Sequence, residues 1–169
     1  ASLGINAEKI ALAGFSAGGQ MAALIGTTND ETLYNKSETL KNISSKVASV
    51  IDIDGILAYI HPESGEGDDS RNTSAATYWF GYAKTENPAI WMRASPLTHV
   101  GKSTPPVLFL NSMVERMHAG RDDFTKVLQS HGTYFEVKTY EGAPHSFCLF
   151  EPWFTPMVTD IDLFLKKIF

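Results

Sequence analysis

Apolar residues come in short blocks along this chain, and the blocks switch between two periodicities. Lys9 to Phe15 is a compact apolar run suited to a strand buried on both faces. Ala17 to Gly26 follows at once, with Met21, Ala22, Leu24 and Ile25 at helical spacing. Residues 28 to 45 are polar and read as loop with a helical turn. Val47 to Asp54 is β-branched and apolar, stops at Gly55, and predicts a second buried strand. From 60 to 104 the pattern is lost among Pro, Gly, Ser and Asn, around the aromatics Tyr78, Trp79, Phe80, Tyr82 and Trp91. Val107 to Leu110 is a third strand. Asp122 to Ser130 is a helix that Gly132 stops, with His131 as a capping residue. Tyr134 to Tyr140 alternates as a strand with one solvated face. From Pro156 onward Met157, Val158, Ile161, Phe164, Leu165 and Ile168 outline an amphipathic helix.

Strands alternating with helices imply an α/β fold with a parallel sheet and right-handed crossovers. One domain is expected over 1–169, with a lid-like irregular excursion at about 60–104. No internal repeat or low-complexity segment interrupts this order. In such sheets chemistry gathers at the carboxyl ends of the strands. Ser16, Asp54, Glu115 and His145 all fall just after predicted strands.

Composition narrows the classes of function. A formal net charge of -5 leaves no dense basic face for nucleic acid. No apolar run approaches the roughly 20 residues that span a bilayer, so no membrane partner is expected. The single cysteine, Cys148, excludes an internal disulfide and a multi-cysteine metal site. Asn-x-Ser/Thr sequons at Asn35, Asn42 and Asn72 carry no weight in a chain this rich in Asn, Ser and Thr.

Gly14-Phe15-Ser16-Ala17-Gly18-Gly19 lies between the first strand and the first helix. A serine on that sharp turn is lifted above the sheet, and the flanking glycines keep side chains from colliding. The N-terminus of the following helix favours developing negative charge. The Gly-Lys-Ser/Thr end of a phosphate-binding loop is absent. A serine nucleophile needs a base. Of His61, His99, His118, His131 and His145, the last follows the final strand in Gly142-Ala143-Pro144-His145-Ser146-Phe147, where a base belongs when the chain order is serine, acid, histidine.

From Ile5 to Phe169 the chain resembles the C-terminal part of an α/β-hydrolase esterase. The branch it is most similar to contains bacterial carbohydrate esterases and acetyl esterases. Three stretches carry the resemblance: Ile10 to Gly19, then Ala94-Ser95-Pro96-Leu97 with Pro105 to Leu110, then Gly142 to Phe147. It implies a serine esterase in which Ser16 attacks the ester carbonyl, His145 relays the proton and the backbone amide of Ala17 stabilises the oxyanion. Acyl groups on plant polysaccharide, acetyl first and feruloyl second, are the implied substrates. The implied partner is thus a small ester or an acylated oligosaccharide. Neither a metal nor an organic cofactor is implied, and an extracellular or periplasmic location is favoured. A peptidase of the same fold, or a binding protein that has lost activity, are the alternatives.

The triad acid departs from the resembled pattern. Such esterases commonly read His-Gly-x-x-Asp after the third of these strands, whereas this chain reads Asn111-Ser112-Met113-Val114-Glu115. That register expects Glu115 as the acid, with Asp122 and Asp54 as the other options. Trp79, Phe80, Trp91, Phe147, Phe150 and Trp153 either face a substrate or pack the excursion onto the sheet. The resemblance also places the elbow after the fifth strand of eight, and Ala1 to Glu8 is too short to supply the others. The expectation is therefore a partial fold whose first strand has an unpaired edge, the remainder lying outside this chain or in a second chain.

Overall fold

The structure, a computed structural model, describes residues 4–29, 31, 34, 39 and 43–169. Much of the polar segment 28 to 45, with the sequons at Asn35 and Asn42, lies outside the described residues. Four parallel strands form one sheet in the order β1-β2-β3-β4: Ala11–Phe15, Ser49–Ile53, Val107–Asn111 and Phe135–Thr139. Helix α1 (Ala17–Thr27) joins β1 to the β2 crossover, and α4 (Arg121–Ser130) joins β3 to β4. The excursion between β2 and β3 carries two short helices, α2 (Ala75–Phe80) and α3 (Pro88–Arg93). Helix α5 (Phe154–Ile168) closes the chain.

Period-two side-chain direction splits the strands between two layers. On one face Val50, Val107 and Phe109 pack against Ala22 and Ala23 of α1 and against Phe124 and Leu128 of α4. On the other, Ile51, Ile53, Leu108 and Leu110 pack against Phe147, Met157 and Phe164. Both central strands are buried along their whole length, as the apolar runs predict. The first strand is different. β1 pairs only with β2 among the described residues, and its Ala13 is exposed, so it is a half-covered edge rather than a strand buried on both faces.

The other edge also departs from expectation. Glu136 of β4 is largely covered, and Lys138, though partly exposed, is tied into ion pairs. Lys167 of α5 pairs with Glu136 at 2.7 Å, and Lys138 stands 3.4 Å from Asp160. Val137, on the opposite face of the edge, is the partly bare residue.

Local chemistry gives order to the excursion that the hydrophobic pattern left blank. Ser74 caps α2 by accepting the Thr77 N–H, Pro88 starts α3, and Gly81 ends α2 in the left-handed region. A third cluster, Ile56, Tyr59, Ala76, Trp91, Met117 and Ala119, with Phe80 against it, anchors both helices. Trp91 is fully buried there, a contribution of about 1.5–3 kcal/mol by the usual area scale for a large side chain. The Gln20 amide of α1 donates to the Ala94 carbonyl and ties the end of the excursion back to the sheet layer.

Candidate active site

The turn from β1 into α1 puts Ser16 in a conformation that non-glycine residues rarely adopt, φ 57° and ψ -120°. The Ser16 N–H donates to the Ile53 carbonyl at 2.8 Å, so the strained turn is held by the end of β2. Gly14 is required there: a Cβ would lie 2.0 Å from the Gly18 carbonyl oxygen. Gly18 is not constrained in that way, because a Cβ on it meets open space. Only the first of the two flanking glycines is sterically obligatory.

His145 follows β4 and reaches across the strand ends. Its Nε2 is 2.8 Å from Ser16 Oγ, and its Nδ1 is 2.8 Å from Asp54 Oδ2. Both contacts are satisfied when the proton sits on Nδ1, which donates to Asp54, and the serine hydroxyl donates to Nε2. The Phe15 ring packs on the imidazole, with centroids 4.8 Å apart. That contact fixes the ring plane from the residue next to the serine.

The carboxylate against His145 is therefore Asp54 and not Glu115. Glu115 opens a 3₁₀ turn, Glu115–His118, that carries its side chain outward into a separate polar cleft shared with Glu63, Arg121 and Asp122. Asp122 sits in the first turn of α4, exposed, and pairs with Arg121 at 2.8 Å. Asp54 alone of the three lies under the imidazole. It is wholly buried and has a positive φ of 53°. Burial pushes its carboxyl up, but His118, Ser112 and His145 hold charge-favouring contacts to it, and together they bring it below the usual carboxylate range. The Ser112 N–H donates to Oδ1 at 2.8 Å.

Two residues earlier, on β2 itself, the balance reverses. Asp52 is buried against α1 and accepts the Gly55 N–H at 2.9 Å. Burial is the dominant cause, the Gly55 bond opposes it and the charge of Asp54 adds to it; the Asp52 carboxyl is pushed well above its ordinary value. Gly55 is forced by this contact, since a Cβ there would sit 2.3 Å from Asp52 Oδ1 and 2.4 Å from the Gln20 nitrogen.

A cleft of about 250 Å³ opens over Ser16, Ala17 and His145. Ile56, Tyr59, Met117 and Trp79 give it apolar surface, and Glu66 and Arg116 add a charged pair 3.3 Å apart. Burial, and then the Glu66 charge, push the Tyr59 hydroxyl up to about 12, so it stays neutral. Trp79 is 59% exposed and lines this cleft. Phe80, Trp91 and Phe147 pack inward instead. His61 stands between Glu63 and Asp123, and His99 contacts Tyr34 and the Arg93 carbonyl. Among the described residues no cluster of His, Cys, Asp or Glu could hold a metal ion.

The Glu66–Arg116 pair has no signal in the sequence pattern; His118 is one of the five histidines weighed as base, but nothing in the pattern places it beside Asp54. Asp54 has a signal: it ends the Asp-x-Asp-Gly segment that closes a buried strand.

Solved structures with a similar fold include proteins named as esterases. An acetyl ester-xyloside bifunctional hydrolase from Caldicellulosiruptor lactoaceticus superposes with TM-score 0.73 at 17% identity, over 99% of this chain and 59% of its own. A thermophilic esterase from Thermogutta terrifontis, with butyrate bound, gives 0.72 at 22% identity, over 98% and 59%. A truncated carbohydrate esterase from gut microbiota gives 0.71 at 18% identity, over 99% and 62%. At these identities the likeness is one of fold, the α/β-hydrolase type, and this chain spans about three fifths of each relative's length. No curated protein sequence matches significantly. The BD-FAE family model, by contrast, matches residues 1–131, which take in the elbow, Asp54 and the whole excursion. The chain belongs to the BD-FAE family.

Proposed function

We propose that this protein hydrolyses carboxylic esters through an acyl-enzyme on Ser16. One observation carries the reading: an unbroken hydrogen-bonded chain from Ser16 Oγ through His145 to buried Asp54, opening into a cleft. In this mechanism His145 Nε2 takes the hydroxyl proton as Ser16 attacks the carbonyl, then returns it to the leaving alcohol. Asp54 holds the Nδ1–H tautomer and stabilises the imidazolium. The backbone amide of Ala17, at the N-terminus of α1, is one donor to the oxyanion. Water then repeats the sequence on the acyl-enzyme.

A short acyl group, acetyl above all, on plant polysaccharide is the substrate class. Trp79 offers an aromatic face and Glu66 with Arg116 offers both acceptors and donors, the combination that a sugar ring and its hydroxyls use. The names of the related structures, an acetyl ester hydrolase and a carbohydrate esterase, are consistent with this class.

The test is labelling by a fluorophosphonate probe, followed by turnover of acetylated and feruloylated oligosaccharides. Ser16 is expected to label, and Ser16→Ala to lose both label and turnover without loss of fold. Retained turnover in Ser16→Ala beyond about 10³ to 10⁴ over water, the level that binding and an oxyanion hole alone supply, would sink the assignment.

A further inference from the structure

His118 ends the 3₁₀ turn that follows β3, and its side chain is only 12% exposed. Among the described residues its Nε2 is buried with no hydrogen-bond partner, and it stands 3.5 Å from Asp54 Oδ1. That distance is too long for a well-formed hydrogen bond. A buried ring nitrogen left without a partner is costly, and such groups call for an explanation. Here the nearest candidate acceptor is the carboxylate that already holds His145.

Asp54 has room for the contact. Oδ2 faces His145, Oδ1 accepts the Ser112 N–H, and each carboxylate oxygen has two lone-pair sites. The turn bearing His118 is also tied to the chain just beyond Asp54. The Ala119 carbonyl accepts the N–H groups of both Leu57 and Ala58, each at 3.1 Å. Ring and carboxylate are thus held in one backbone frame, and a shift of about half an ångström brings Nε2 to ordinary hydrogen-bond length.

We propose that His118 is a positioning residue, whose Nε2–H donates to Asp54 Oδ1 and fixes the carboxylate while His145 carries charge. The inference rests on the Ser16–His145–Asp54 reading. Held by Ser112 and His145 alone, Asp54 would retain a rotation about its side chain that pulls Oδ2 off His145 Nδ1. A second donor on Oδ1 removes that freedom.

The experiment compares the parent chain with His118→Leu, His118→Met and His118→Gln. Leu and Met fill the space without a donor, and Met serves if Leu fails to fold; Gln keeps an N–H near the Nε2 position. Two signals are read: the rate of Ser16 labelling by a fluorophosphonate, at varied probe concentration, and the downfield ring-proton resonance of the His145–Asp54 bond. Leu and Met are expected to slow the limiting labelling rate about ten- to a hundredfold, the scale of a hydrogen bond to a charged group, with half-saturation unchanged. They should also shift the resonance upfield or broaden it, and Gln should restore both signals. The proposal is overturned if Leu or Met labels within about twofold of the parent with the resonance unmoved, or if Gln falls as far as Leu. A parent that does not label sinks the esterase reading instead, and the resonance then decides the question for His118.

Discussion

The loops after β2 and β3 lie side by side at the same end of the sheet, and they divide one task unequally. The β2 loop opens on a mostly apolar run, Gly55 to Ile60, but supplies Asp54, the carboxylate under His145. The β3 loop holds Ser112, Glu115, His118 and Arg121, a richer set of polar groups, yet none of them touches His145. Its contribution is support: the Ser112 N–H and the His118 ring face Asp54, and the Ala119 carbonyl secures the backbone beyond it. In the proposed triad the acid is thus defined by reach to the imidazole and not by the strand that it follows. A carboxylate can sit on the neighbouring strand if the loop in the usual place becomes its cradle. The positive φ of Asp54 belongs to this solution, since it turns the side chain from the sheet edge toward His145.

The comparison breaks most sharply by substitution in each loop. Asp54→Asn keeps the shape but removes the charge and presents the wrong hydrogen-bond partner to Nδ1. A loss of about 10⁴-fold in kcat is expected, as for the equivalent exchange in a Ser-His-Asp triad. Glu115→Gln should leave kcat within about twofold of the parent, the behaviour of an exposed substitution remote from the reacting atoms. Both are measured on a short p-nitrophenyl ester. A larger loss in Glu115→Gln than in Asp54→Asn would return the acid to the β3 loop and show that the β2 carboxylate is structural.

Much of this architecture was legible in the residues. The buried strands β2 and β3 announce themselves because both faces are covered, so the apolar run is continuous; the elbow does so because a strained turn demands Gly14. The acid was less legible for a physical reason. Glu115 lies at the right distance along the chain, but chain distance does not reveal that a 3₁₀ turn rotates it outward. Nor does it reveal that the Ser112 N–H is aimed at another strand. Asp-x-Asp-Gly at the end of β2 offered two carboxylates with no pattern to say which was ionised. The excursion was opaque because its order comes from caps and one buried tryptophan, not from periodicity. At the edges, β1 and β4 have strand neighbours on one side only among the described residues, so alternation there reports ion pairs and bare apolar positions as much as core.

The smallest expected effect separates the two carboxylates at the end of β2. Asp52 and Asp54 are both buried, but the folded protein raises one and lowers the other. Their contributions to stability must then run in opposite directions with pH. For Asp54 the folded state binds its proton more weakly than the unfolded chain. Its contribution is fully present above the ordinary carboxylate range and is lost as pH falls through its lowered value. For Asp52 the folded state keeps a proton that the unfolded chain releases. Stability therefore declines as pH rises from the ordinary carboxylate range toward the raised value of Asp52. Asp52→Asn removes the titration while keeping an oxygen to accept the Gly55 N–H, so it should leave ester turnover unchanged and flatten that decline. Above the ordinary carboxylate range its unfolding midpoint should fall less with pH than that of the parent, measured by thermal melts across a buffer series. Parallel curves for the two proteins would mean that Asp52 is already ionised in the fold. The Gly55 bond would then be a charge-assisted cap, and the contrast between the two carboxylates would disappear.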